Sequence, residues 1–325
     1  GAFDSWTLFD EGKAGRMAVK VPGAAAEEKG CPADSTRSIV DALNTGGFDA
    51  FITSGHATER DWQIGYSFRG GQLRCQDGQL FGLDAAGART DVTSPNPKVF
   101  LPVGNCLIGH VSGRDCMVTA LFHTGGVVQM FGYIVPTWYG KGGWGIQELL
   151  LDQPGRFTLA EAFYFNTQAM LHEILTRFPR SAVVDFARYD LEREPRLIDQ
   201  LATRHNLKDR DELGLLWDRD TVAFYGDPAF DARPAARPLA WDQAIAVAGR
   251  RYTFTATVRQ AGTWPGKPLM MRLPHRVAGA KIVEGEEYEP VVTDDFLLVP
   301  RAGTFAPGNE VRVVFEADRA AAPAR

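Results

Sequence analysis

"FDAFITSGHATERDW", residues 48–62, decides how the chain is read. An apolar run ends on Gly55, and a histidine, His56, follows at once among small and polar residues. Just upstream, "STRSIVDALNTGG" offers Ser35 or Thr36 as a helix cap, Ile39, Val40 and Leu43 as an apolar face, and Gly46-Gly47 as a stop. A helix leading into a buried strand that opens onto a polar loop is an α/β signature. The pattern then recurs. "VFLPVGNC" reads as a second buried strand, "RDCMVTALFHTGG" as a helix, "VVQMFGYIV" as a third strand, and "TLAEAFYFNTQAMLHEILTRF" and "EPRLIDQLATRH" as further helices before a last strand in "TVAFYGDPAF". Residues 35–230 therefore predict a mainly parallel sheet with helices on both faces.

Two regions depart from that alternation. Residues 63–97 alternate apolar and polar side chains around Asp77-Gly78, a dipeptide that favours a tight turn, and predict a β-hairpin beside the histidine loop. "DARPAARPLAWD" is rich in proline and alanine and reads as a linker over residues 231–240. Beyond it, short strands separated by turns predict a β-sandwich over 241–325, ending in a disordered "RAAAPAR" tail.

Composition narrows the function classes. The 325 residues are 45% hydrophobic and 23% charged with a net charge of −5, so the basic stripe of a nucleic-acid surface is missing. No apolar run approaches the roughly 18 residues that cross a bilayer. The four cysteines, Cys31, Cys75, Cys106 and Cys116, show no framework spacing and read as free thiols.

In open α/β sheets, ligands sit beyond the carboxyl ends of the strands. Two predicted strands end in reactive side chains, His56 and Cys106. If the strands are neighbours, an imidazole and a thiol face one cleft, and a thiol needs such a partner to act as a nucleophile near neutral pH. A metal reading of Cys106, His110, Cys116 and His123 fits no usual zinc spacing. The glycines at 140, 142, 143 and 145 lack the Lys-Ser/Thr pair of a phosphate loop and read as a groove wall. Asp227 reads as a turn former before Pro228; His172 and His205 lie on structural helices, and Cys31 and Cys75 read as incidental.

These motifs together resemble the gingipain family of cysteine peptidases, which share the caspase-type fold. Gly55-His56-Ala57-Thr58-Glu59 with Trp62 follows that family's histidine motif, "GNCLIG" with Cys106 and Gly109 its cysteine motif, and Gly226-Asp227-Pro228 its domain end. The resemblance spans about residues 35–320 and implies a caspase-like catalytic domain over 1–230, its N-terminal part incomplete, followed by an immunoglobulin-like β-sandwich. Ala57 stands where the family has glycine; alanine keeps the N–H but tolerates fewer backbone angles.

The resemblance further implies a cysteine endopeptidase acting on polypeptide substrates. Cys106 would be the nucleophile, His56 the general acid and base, and the N–H groups of Ala57 and Cys106 the oxyanion hole. Trp138, Tyr139, Gly140 and Glu59 would line the substrate groove, and Glu59, Arg60, Asp61 and Asp152 are candidates for setting residue preference. No cofactor is required, a structural calcium ion is allowed, and export or a cell-envelope location is favoured. Two alternatives stay open: a transpeptidase or ligase, and an inactive caspase-fold binding module.

Overall fold

The computed structural model describes residues 3–10, 16–30, 32–64, 71–137, 139–141, 143, 145–186, 189, 197–207, 209–260, 268–300 and 306–320. Trp138, Cys31, Gly142, Trp144 and the end of the tail lie outside the described residues. The chain divides into two units, residues 1–235 and 236–325.

The first unit opens on an antiparallel sheet of β1 (Trp6–Asp10), β2 (Arg16–Lys20) and β3 (Glu27–Gly30). Helix α1 (Thr36–Thr45) follows, burying Thr36, Ile39, Val40 and Leu43, and leads to β4 (Ala50–Ser54). Next comes a second antiparallel sheet, β5 (Asp61–Gln63), β6 (Gln72–Gln76), β7 (Gln79–Leu83) and β8 (Arg89–Asp91) in that order. Its β6–β7 turn is Asp77-Gly78, both residues at positive φ (52° and 76°), as a two-residue hairpin loop requires.

The chain then forms β9 (Lys98–Val103), α2 (Met117–His123), β10 (Val127–Tyr133), α3 (Ile146–Leu151) and α4 (Leu159–Arg177). Thr158 and Glu161 close a reciprocal capping box on α4 (3.1 and 3.0 Å). Helices α5 (Leu197–Arg204) and α6 (Arg210–Thr221) follow, and α6 passes directly into β11 (Val222–Gly226).

The central sheet has the order β11-β10-β9-β4. Its last three strands run parallel to one another, and β11 runs antiparallel to β10. The expected caspase-like, mainly parallel sheet with helices on both faces is therefore not what the chain forms. Of the five sheets among the described residues only this one is mixed, and the rest are antiparallel. The reason is local. Strands joined by short turns, as across Asp77-Gly78, can pair only antiparallel, whereas a parallel pair needs a long crossover. Nor is β4 the buried strand that "AFITS" suggests: it lies at the sheet edge and leaves Ile52 41% exposed. On one side of the sheet, α1 and α2 share a core with the β5–β8 sheet, where Val40, Leu43, Leu73, Leu80, Phe100, Met117 and Met130 meet. Helices α4, α5 and α6 build a second core around Tyr133, Met170, Leu201, Leu216 and Trp217.

The second unit comprises β12 (Trp241–Ala248), β13 (Arg251–Val258), β14 (Leu269–Arg272), β15 (Val277–Glu284), β16 (Val291–Val292), β17 (Phe296–Val299) and β18 (Glu310–Arg319). They form two antiparallel sheets, β12-β13-β18-β15 and β14-β17-β16, around one core that includes Tyr252, Phe254, Leu269, Leu297, Val313 and Phe315. The strand order departs from the immunoglobulin arrangement. There the fifth strand lies between the second and fourth, and the seventh beside the sixth. Here the seventh, β18, takes the place between β13 and β15, and the fifth, β16, pairs with the sixth. Length explains the exchange. β16 is two residues long, while ten-residue β18 buries Val311, Val313, Phe315 and Ala317 in register with eight-residue β13.

Candidate functional site

Strands β4 and β9 pair in parallel with Ser54 opposite Val103, so they end level with each other. Gly55-His56 and Gly104-Asn105-Cys106 follow at that shared carboxyl end. Both glycines adopt positive φ (115° and 70°), which turns each chain sharply out of its strand. Asn105, fully buried, laces the two loops together. Its Oδ1 accepts from Thr53 Oγ1 at 2.8 Å, and its Nδ2 donates to Gly55 O at 2.9 Å. Both ends of the buried amide are thus engaged, and the spacing of the loops is fixed from below.

His56 is exposed, and its loop is held by a small antiparallel return. Gln63 N donates to His56 O and Thr58 N to Asp61 O, each at 2.9 Å, across the Ala57–Trp62 bridge. Because those bonds come from the residues on either side, the bridge is of the wide type and directs Ala57's own N–H and C=O away from Trp62. Trp62 anchors the return: its indole donates to Ser54 O at 3.1 Å, and its ring lies edge-on to Phe51 at 6.0 Å.

Cys106 is half-buried and begins a turn that runs to Gly109. Leu107, at φ 55°, is a non-glycine residue in the left-handed region directly after the thiol. Its N–H donates to Val135 O at 3.2 Å, Gly109 N donates to Tyr133 O at 2.9 Å, and the Tyr225 hydroxyl donates to Gly109 O. A Cβ on Gly109 would sit 2.6 Å from Gly132 O, so the glycine three positions after the cysteine is required by close backbone approach. The sulfur itself meets Thr137, just beyond β10. Thr137 N donates to Sγ at 3.3 Å, and Thr137 Oγ1 lies 3.3 Å from Sγ and 3.1 Å from Gly104 O. Gly104 O can only accept, so it takes the hydroxyl's single proton; in the thiol form the Cys106 S–H is then the donor to Thr137 Oγ1.

The predicted groove residues have other attachments. Tyr139 donates its hydroxyl to Asp199 of α5 at 2.6 Å and packs its ring 5.5 Å from Trp217 of α6. Burial, with Asp199 holding the proton, pushes that phenol up to about 12. Gly140 donates to Thr137 O at 3.0 Å, and a Cβ there would crowd Asp218 Oδ1 at 2.7 Å. Asp218 itself accepts from the Tyr133 hydroxyl and from Lys141 N at 3.1 Å. Asn166 of α4 holds the next stretch, accepting from Gly145 N at 2.7 Å and donating to Gly143 O at 2.9 Å. Glu59 uses its carbonyl to accept from Met117 N at 2.7 Å, satisfying an open N–H in the first turn of α2.

Cys75, Cys116, His110 and His123 have partners of their own. Burial pushes the Cys75 thiol up to about 12. Cys116, fully buried before α2, donates to Gly113 O at 3.3 Å. His110 and His123 donate from Nδ1 to Ile134 O at 3.2 Å and Gly78 O at 3.0 Å. Among the described residues, no group of three or more His, Cys, Asp or Glu is placed to hold a metal ion, and no helix is long and apolar enough to cross a membrane.

Sequence reasoning missed Asn105 and Thr137. Asn105 sits inside "VFLPVGNC", and a buried amide network has no periodicity to announce it. Thr137 follows the third parallel strand, so the carboxyl-end rule that selects His56 and Cys106 selects it too. The chain matches no protein-family model, no curated protein and no solved structure.

Proposed function

We propose that the chain is a thiol-dependent peptidase with Cys106 as nucleophile and His56 as proton-transfer group. The observation that carries this reading is the lacing of the two loops: β4 and β9 end in register, and Asn105 bonds to the loop that bears the imidazole while it precedes the thiol. The order of the histidine, cysteine and Gly-Asp-Pro motifs, which resembles gingipains, supports the same assignment. The assignment rests on these loops and motifs and does not draw on a caspase-like sheet.

In this reading the Cys106 proton passes to His56, and Sγ adds to the scissile carbonyl carbon. The resulting oxyanion lies against the N–H groups of Ala57 and Cys106; one such donor lowers the barrier by about 3 kcal/mol. Collapse breaks the C–N bond, and the His56 proton goes to the departing amine. The thioester left on Cys106 is hydrolysed by water that His56 deprotonates, which returns the thiol. Ala57 suits the donor role because the wide bridge turns its N–H away from the hairpin.

A peptide library carrying a thiol-directed chloromethyl ketone tests the assignment, with buried Cys75 and Cys116 as internal controls. Labelling at Cys106 that His56→Ala weakens at least about tenfold is expected. Cys106 that stays inert to every peptide probe while reacting with a small alkylating agent would favour a binding module instead.

A further inference from the structure

We infer that Thr137 is the positioning residue of the thiol, holding Cys106 in one rotamer as S–H and supplying two donors to it as thiolate. The inference rests on the peptidase reading and adds a third strand to it. In the order β10-β9-β4 the thiol follows the middle strand, the imidazole follows one neighbour, and Thr137 follows the other. Cys106 is thus bracketed, and its sulfur has two contacts on the Thr137 side, the backbone N–H and the hydroxyl, each at 3.3 Å.

The hydroxyl has two settings. With the thiol protonated, its proton is on Gly104 O and its lone pair accepts the S–H. When the thiol proton leaves, to His56 in turnover or to a solvent base in simple alkylation, the acceptor becomes a charged sulfur. The hydroxyl proton then turns from Gly104 O to Sγ, because a hydrogen bond to an ionised acceptor is roughly twice as strong as one between neutral groups. The backbone N–H donates to sulfur in both states. Thr137 therefore favours the thiolate and keeps the sulfur from swinging between rotamers. Valine matches threonine in shape and keeps the N–H but removes the hydroxyl, whereas serine keeps both donors.

The test is the rate of Cys106 alkylation by iodoacetamide across pH, read by peptide mass spectrometry on the full chain, for wild type, Thr137→Val and Thr137→Ser. The expected result is Cys106 alkylation slowed severalfold by Thr137→Val on the acidic side of the profile, with the two profiles meeting at alkaline pH. Thr137→Ser should keep the wild-type profile. Thermal midpoints measured alongside separate this from a general loosening, which would expose the sulfur and speed alkylation at every pH. A Thr137→Val profile that overlays wild type, or a uniform change in rate, overturns the inference. Failure of the peptidase reading looks different: the Thr137-dependent profile persists, but no peptide is cut and no peptide probe labels Cys106.

Discussion

Asn105→Ala is the sharpest structural test of the site. The substitution removes two buried hydrogen bonds, from Thr53 Oγ1 at 2.8 Å and to Gly55 O at 2.9 Å. Each bond contributes about 1 kcal/mol net, and the Thr53 hydroxyl is left buried without its acceptor, which costs about 1 kcal/mol more. The sum is about 3 kcal/mol. For a unit of 235 residues, this lowers the thermal midpoint by about 6–12 °C. The midpoint should be read from a probe within the first unit, such as hydrogen exchange at the amides of β4 and β9, because two units need not unfold in one transition. Asn105→Asp extends the test with a sign. It keeps the acceptor for Thr53 but sets an oxygen against Gly55 O, so burial and that carbonyl hold the folded carboxyl above its usual value of about 3.9. A pKa raised on folding gives stability that is full below the unfolded pKa and is lost as pH rises through the folded one. Relative to wild type at each pH, the aspartate variant should be weakest at neutral pH and recover toward about pH 4. If Asn105→Ala costs under about 1 kcal/mol and leaves peptide-probe labelling of Cys106 unchanged, the two loops are not held by this residue and the argument for their shared site falls.

Two further outcomes follow from the same geometry. Gly109→Ala places a methyl 2.6 Å from a backbone oxygen that cannot rotate away, so the first unit should lose about 1–3 kcal/mol and the Cys106 turn should shift, read as a lower denaturant midpoint and altered alkylation rate. For Asp61, burial pushes the carboxyl up, with the Thr58 side chain and Arg74 pulling against it without cancelling it. Its raised folded pKa means stability is full below the ordinary carboxyl value of 3.8 and declines as pH rises, so Asp61→Asn should raise the unfolding midpoint at pH 7 and leave it unchanged below pH 3.8. A midpoint that falls at pH 7 contradicts the stated balance of causes.

How much of the fold could be read from residues depended on whether the signal was local. The Asp77-Gly78 turn and the apolar face of α1 were legible because each is fixed within a few neighbours. Strand direction was not, since a buried apolar run looks the same whether its neighbour runs parallel or antiparallel. That is why β11, which follows α6 without a loop and pairs antiparallel to β10, escaped the expected parallel order. Edge position was hidden for a related reason: "AFITS" is apolar enough for a sheet interior, yet nothing in it reports that β4 has a partner on one side. In the second unit, the strands could be anticipated but not their order, which was decided by the relative lengths of β16 and β18.

The site divides along the same line. His56 and Cys106 stand out as candidates because a reactive side chain after an apolar run and a glycine is a local pattern. The tie between their loops and the contacts of the sulfur depend on two groups without one. Asn105 reads as an ordinary polar loop residue until β4 and β9 are set side by side, when its amide becomes the tie between loops fifty positions apart. Thr137 reads as the start of a glycine-rich stretch until β10 is placed on the far side of β9, when its hydroxyl and N–H both reach the sulfur. The parallel segment β10-β9-β4 is thus the part of the sheet on which the proposed site is built. Strands running the same way deliver all three loops to one end, and an antiparallel order among these strands would have sent the middle loop to the opposite end.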